Sequence, residues 1–281
     1  MVIRMKNAPD MSGWLVASDI DGTLNGKLRY MPSENEKAIK DFTRRGGLFT
    51  LASGRPPESM RRHYMKVSAY PTPAIFLNGA GIYDYRSEKV LHFSPLDKNA
   101  KEIAQDIASH FKTAEIIVNT LERTYVVRPV VFGVGMALSD KMPFTVYRSI
   151  SEVPAEGWGK VVFFAAPPVL RELNEYACSL QNTGCRFVIP SPVTCEMLTQ
   201  EAEKGRAFVI LRDMLGISPE KTGAIGDYYN DMSFKEAVKY FAVCAQAPAD
   251  LRAQADYVAC HCNRGAVGDF LKYLSQYSEN S

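Results

Sequence analysis

Short apolar runs that end in small or polar residues recur along the chain: Trp14 to Ala17, Leu48 to Ala52, Ala74 to Leu77, Ala224 to Ile225 and Tyr240 to Val243. Segments of helical character separate them, and this alternation predicts an α/β fold with a parallel sheet. Ser33-Glu34-Asn35-Glu36 reads as a capping box opening a helix that runs to Arg45, with Gly46-Gly47 as its stop. Strands joined in this way use right-handed crossovers, and such sheets bind ligands in the loops beyond their carboxyl ends. The ends of the apolar runs are therefore where chemistry is expected.

The pattern changes after Asn78-Gly79-Ala80-Gly81. Strand-like runs (Tyr125 to Val127, Val161 to Phe164, Phe187 to Ile189) and two helix-like runs (Asn99 to His110, Leu170 to Gln181) follow, before the βαβ rhythm resumes at Lys204 to Leu215. This predicts an α+β unit inserted into a loop of the sheet domain: residues 1–83 and 194–281 form the core, and 84–193 the insert. With 281 residues the chain has room for both.

Composition narrows the function classes. Lys plus Arg is 33 against 31 acidic residues, a net charge of +2 with no basic block, which argues against a nucleic-acid partner. The longest apolar stretch, Val161 to Leu170, is broken by Pro167 and Pro168 and is far shorter than the ~20 residues of a membrane helix. Residues 1–13 carry no apolar run of the secretory kind, so a cytoplasmic location is expected. The 6 cysteines are too sparse for a disulfide scaffold, and Cys260-His261-Cys262 lacks the companion ligands of a zinc site.

Four motifs carry chemistry. Asp19-Ile20-Asp21-Gly22-Thr23-Leu24 follows the first apolar run. Two carboxylates two positions apart at a strand end point into one small volume, where their repulsion calls for a cation or a shared proton. Magnesium (Mg2+) suits carboxylate and phosphate oxygens together. One carboxylate can attack phosphorus, and the other can protonate the leaving oxygen. Ser53-Gly54-Arg55-Pro56 ends the second run and precedes a helix expected from about Pro57, which makes an anion site. In Gly226-Asp227-Tyr228-Tyr229-Asn230-Asp231, Asp227 is a candidate metal ligand, and Asn230 can also cap a helix continuing through Lys239. Lys204-Gly205 opens a helix where the insert returns to the core, so that a lysine there can neutralise phosphoryl charge.

In this order the four motifs resemble the haloacid dehalogenase (HAD) superfamily of phosphohydrolases, and the large insert after Asn78-Gly79-Ala80 resembles its class IIB, Cof-type subfamily. The resemblance implies a Rossmann-like parallel sheet core with an inserted α+β cap. It also implies roles: Asp19 as nucleophile and metal ligand, and Asp21 as general acid and base that offers its backbone carbonyl to Mg2+. Asp227 would be the third metal contact. Ser53, Gly54 and Asn230 would hold the phosphate, Lys204 would bridge Asp19 and the phosphate, and Asp231 would stand behind the metal ligands. The sequence departs from the family at Cys244-Ala245-Gln246-Ala247, where Gly-Asn is usual, and at Thr199-Gln200-Glu201-Ala202-Glu203, which lacks the usual Pro and Gly.

The expected reaction is hydrolysis of phosphomonoesters of small metabolites, sugar phosphates favoured, through an aspartyl-phosphate. A phosphomutase or phosphotransferase would share these motifs, and a catalytically silent binding protein would not need the whole set. Arg123, Tyr125, Arg128, Tyr147 and Arg148 are the candidate cap residues for the leaving group. Phe132-Gly133-Val134-Gly135-Met136 lacks the third glycine of a phosphate loop. The expected partner is a small phosphorylated metabolite, with the chain a monomer or weak homodimer.

Overall fold

The fold is described from a computed structural model, which covers residues 9–26, 30–67, 72–128, 134–135, 137–138, 142–180 and 183–277. Phe132, Gly133 and Met136 of the glycine-containing segment lie outside the described residues. No helix among the described residues is long and apolar enough to cross a membrane.

The core is a parallel sheet of five strands: β1 (Leu15–Ser18), β2 (Leu48–Leu51), β12 (Thr222–Gly226), β13 (Tyr240–Cys244) and β14 (Tyr257–Ala259), in the order β14-β13-β12-β1-β2. β1 lies between β12 and β2 and is buried throughout, which is why its sequence is unbroken Leu-Val-Ala-Ser rather than alternating. On one face, Trp14, Val16 and Ile225 pack against Ile39 and Phe42 of helix α1 (Ser33–Arg44) and Phe270 and Leu271 of the C-terminal helix Ala266–Leu274. On the other, Leu15, Ala17 and Phe241 meet Phe208 and Leu211 of the helix Lys204–Met214. The chain leaves β1 toward β2 in one direction and runs from β12 to β14 in the other. The crevice at the carboxyl ends of β1 and β12 is thus the topological switch point, where ligands bind in open α/β sheets.

The strand at Ala74 departs from the expected pattern. β3 (Ala74–Phe76) touches the parallel sheet through a single bridge, Ala52 to Ile75, and pairs instead in a three-stranded antiparallel sheet with β4 (Gly81–Asp84) and β5 (Lys89–Phe93). The insert builds a second sheet from β6 (Glu115–Asn119), β7 (Thr124–Val127), β8 (Phe144–Tyr147), β9 (Lys160–Phe164), β10 (Cys185–Ser191) and β11 (Thr194–Thr199), ordered β10-β11-β9-β6-β7-β8. Ile116, Val118, Val161 and Phe163 face the helices Ala100–His110 and Pro167–Ser179; Ile117, Asn119, Lys160, Val162 and Glu196 occupy the alternate positions, on the opposite face. This is the α/β core with an inserted α+β cap. The division into 1–83 plus 194–281 around 84–193 stays a proposal; the three-stranded sheet spans 74–93 and the cap sheet ends at Thr199.

Two local expectations are corrected. The capping box does not form: Pro32 is the N-cap of α1, no side chain caps it, and the Ser33 hydroxyl turns to Glu34. Proline at that position supplies an extended approach to the helix without a side-chain acceptor. Asn35, inside the same tetrapeptide, is fully buried; its amide donates to Leu24 O (2.8 Å) and accepts from Gly268 N (2.8 Å), tying α1 to the loop after β1 and to the C-terminal helix. Likewise, no helix runs from Asn230 to Lys239; a 3-10 turn, Tyr229–Phe234, stands there with Tyr228 as its N-cap.

Asn35→Ala leaves a buried carbonyl and a buried N–H without partners, so unfolding in urea should show a loss of about 2–4 kcal/mol. A change within about 0.5 kcal/mol would contradict this role.

Candidate active site

Asp19 follows β1 directly. Its N–H donates to Ile225 O on β12 (3.0 Å), and Leu24 N donates back to Asp19 O (3.2 Å), closing a tight turn over Ile20–Thr23. Gly22 sits at φ +88°, and a Cβ there would overlap the Asp227 carboxylate. Glycine after the second aspartate is thus required twice, by backbone conformation and by the approach of the β12 loop. Thr23 Oγ1 donates to Asp227 Oδ1 (3.2 Å), joining the first and last motifs. Gln246 donates to Gly22 O (2.6 Å) and accepts from Cys262 N (3.1 Å), so the segment that departs from Gly-Asn still clamps this turn.

Lys204 begins its helix with its side chain wholly buried. Nζ donates to Asp19 Oδ1 and to Asp231 Oδ1, each at 2.6 Å. Gly205 follows because a Cβ there would overlap the Ser233 carbonyl of the 3-10 turn. The other oxygen of Asp231 accepts the N–H groups of Asp227 (3.0 Å) and Tyr228 (3.2 Å), so Asp231 sets the loop on which Asp227 stands. Burial opposes the Lys204 charge, but Asp19 and Asp231 outweigh it and hold the ammonium above its ordinary value. Burial pushes the Asp19 carboxyl well up, with Lys204 opposing and Asp231, Asp227 and Asp21 adding to the rise. Asp227 is pushed up to about 6, by burial first and the Asp231 charge second.

Carboxylate oxygens of Asp19, Asp227 and Asp231 lie within 4.8 Å of one another. The Asp231 oxygens are both engaged, whereas Oδ2 of Asp19 and Oδ2 of Asp227 accept no hydrogen bond from any described residue. Three acids against one lysine leave excess negative charge, which suits a hard divalent cation between Asp19 and Asp227.

Ser53 and Gly54 follow β2. Ser53 Oγ accepts from Arg55 N (3.3 Å), leaving its hydroxyl proton to donate, and Gly54 N–H has no acceptor among the described residues. Arg55 makes a two-pronged pair with Asp21, Nε to Oδ2 at 2.7 Å and Nη2 to Oδ1 at 3.0 Å, and its Nη1 reaches Ser59 Oγ at 3.1 Å. Asn230 Nδ2 donates to Asn78 Oδ1 (3.2 Å).

All eight residues singled out by sequence converge. Asp19, Asp21, Ser53, Gly54, Asp227 and Asn230 line one cavity of about 310 Å3, with Lys204 and Asp231 buried beside them. The cap candidates do not reach it. Arg123 bonds Thr145 Oγ1, Arg128 bonds the Ala108 and Lys112 carbonyls, Tyr125 and Tyr147 contact each other, and Arg148 is exposed. Tyr125 and Tyr147 sit on β7 and β8, at the sheet edge away from the cavity. The described cap residues lining it are Asn119, Lys160, Pro190 and Glu196, from β6, β9, β10 and β11; these had been given no role, nor had Arg55 or Tyr228. Charged Glu196 between Cys195 and Met197 on a strand, and Lys160 heading an apolar run, were the available signals. His261, of the Cys-His-Cys cluster, accepts from Asn263 N and caps a short turn.

Residues 16–271 match the family of haloacid dehalogenase-like hydrolases. The chain is 25% identical to the phosphoglycolate phosphatase of Methanothermobacter thermautotrophicus, over 92% of this chain and 96% of that one. It is 24% identical to the phosphatase YwpJ of Bacillus subtilis, over 92% and 99%. A solved HAD subclass IIB sugar phosphatase superposes with a TM-score of 0.81 at 19% identity, covering 93% of this chain and 98% of that one. The chain belongs to the haloacid dehalogenase-like hydrolases, and its α/β core with an inserted α+β cap has the fold of the solved subclass IIB structure.

Proposed function

We propose that this hydrolase is a magnesium-dependent phosphatase of small phosphorylated metabolites, sugar phosphates favoured, working through an aspartyl-phosphate on Asp19. One observation carries the reading: buried Lys204 holds one oxygen of Asp19 at 2.6 Å, the other accepts no hydrogen bond from any described residue, and Asp19 lines the cavity together with Asp227. A carboxylate fixed at one oxygen and open at the other is a positioned nucleophile.

Asp19 and Asp227, with the Asp21 backbone carbonyl, would hold Mg2+, which when bound offsets charge on the phosphoryl oxygens. Ser53 Oγ, Gly54 N–H and Asn230 would hold those oxygens, and Asp231 would keep Lys204 and the Asp227 loop in place. Asp19 Oδ2 attacks phosphorus as the ester P–O bond breaks, and Asp21, once parted from Arg55 and protonated from solvent, gives that proton to the leaving oxygen. Asp21 then takes a proton from the water that attacks the aspartyl-phosphate, which releases inorganic phosphate and restores Asp19. Closure of the cap over the cavity would keep bulk water from the first step.

The direct test is phosphate release from sugar phosphates, nucleotides, pyridoxal phosphate and an aryl phosphate, with magnesium and with chelator. Asp19→Asn should lower magnesium-dependent kcat by about 10³-fold or more. Release from no ester by folded wild-type protein in magnesium would overturn the reading.

Folded, metal-free Asp227 keeps its proton to about pH 6, against 3.8 ordinarily, so the folded state holds more protons in that window. Its contribution to stability is present below the lower value and lost as pH rises through the upper one. His63, lowered to about 4 by burial first and by nearby Arg55 and Arg62, runs the other way. Its contribution is present above the ordinary histidine value and lost as pH falls through about 4. The magnesium increment in Tm isolates the acidic pair, because a proton on Asp227 competes with the ion. The increment should be larger at about pH 7.5 than at about pH 5. An increment independent of pH would contradict this assignment.

A further inference from the structure

Three cap residues stand over the cavity on adjacent strands. Asn119 on β6 pairs in register with Lys160 on β9, and Glu196 on β11 lies diagonally beside Lys160 on the same sheet face. Lys160 Nζ donates to Glu196 Oε1 (2.7 Å) and to the Gly54 carbonyl (2.8 Å), so two of its three protons are used among the described residues. Glu196 Oε2 accepts from Asn78 (2.7 Å). Asn119 is only 5% exposed and lines the cavity, and its side chain makes no hydrogen bond to any described residue.

This wall has two properties. It offers donors and acceptors together: one ammonium proton, the remaining lone pairs of Glu196 and the whole Asn119 amide. It also carries no net charge, because the Lys160 ammonium is matched by the Glu196 carboxylate at 2.7 Å. A hydroxyl set against it can donate to Glu196 and accept from Lys160 or Asn119. A second carboxylate or phosphate would give up hydration to meet Glu196 as well as Lys160.

We infer that Lys160, Glu196 and Asn119 read the leaving group, and that they select an uncharged, hydroxyl-bearing one against one carrying a second anion. The inference rests on the phosphatase reading above and assigns its specificity. Glu196 is the discriminating residue, since it cancels the charge that would otherwise attract a second anion.

The test compares kcat/KM for sorbitol 6-phosphate, whose leaving group is a neutral polyol, and 2-phosphoglycolate, whose leaving group bears a carboxylate, with p-nitrophenyl phosphate as a third arm. Wild type should favour the sorbitol ester by about tenfold or more. Glu196→Gln keeps the shape and frees the Lys160 charge, so it should raise the phosphoglycolate-to-sorbitol ratio by about tenfold. Lys160→Met leaves Glu196 alone and should lower that ratio. Opposite signs in the two variants are not produced by a merely structural pair, whose loss depresses both esters alike. A wild type that favours phosphoglycolate, or variants whose ratios move together or stay fixed, overturns the inference while the phosphatase reading stands. Failure on the aryl phosphate as well would sink that reading first.

Discussion

The site depends on one buried cation shared by two acids. Lys204 has no solvent to hydrate it, so among the described residues its charge is supported by Asp19 and Asp231 alone, at 2.6 Å each. Removing the Lys204 ammonium would leave two buried carboxylates uncompensated, at a cost of about 3–5 kcal/mol. That cost locks three distant segments together: the end of β1, the start of the helix at Lys204 and the 3-10 turn after β12. Local features serve this contact. Gly205 lets the helix start against the Ser233 carbonyl, and Gly22 lets the Asp227 carboxylate come down on the first turn. Asp231 spends one oxygen on Lys204 and the other on the Asp227 backbone, so a single side chain fixes both the cation and the loop.

The acids so gathered outnumber the lysine. Burial and mutual repulsion raise Asp19 and Asp227, and the same excess of negative charge makes the site fit for a divalent ion. Fold and chemistry thus share a cause: the switch point places two strand ends together, and the charge concentrated there needs both Lys204 and a second cation. Across the cavity the cap adds a second buried pair, Lys160 with Glu196, which touches the loops after β2 and β3 through the Gly54 carbonyl and Asn78. One pair belongs to the core and the other to the cap.

Much of this was legible in the sequence. The apolar runs at Trp14, Leu48, Ala224 and Tyr240 marked core strands because strands buried on both faces cannot hide polar residues. The four motifs marked the site because each lies at a strand or helix end. What failed depended on partners far along the chain. Ser33 and Glu36 have the spacing of a capping box, yet Pro32 takes the cap position and Asn35 between them does the structural work, through a bond to residue 268 that local spacing does not encode. β3 reads as one more core strand but pairs with β4, because a tight turn at Leu77–Gly79 returns the chain on itself. The cap residues were misjudged for the same reason. Arginines and tyrosines were favoured by type, whereas strand order decides which side chains face the cavity, and that order places β9, β6 and β11 there and puts β7 and β8 at the far edge.

In the proposed reaction the carboxylate held by Lys204 becomes covalently phosphorylated. The most direct measurement is a rapid acid quench during turnover, followed by peptide mass analysis for an added phosphoryl group. The account predicts that group on the peptide containing Asp19, appearing before inorganic phosphate and decaying as phosphate is released. A phosphoryl group on another residue, or phosphate release with no phosphorylated peptide at any quench time, would contradict it.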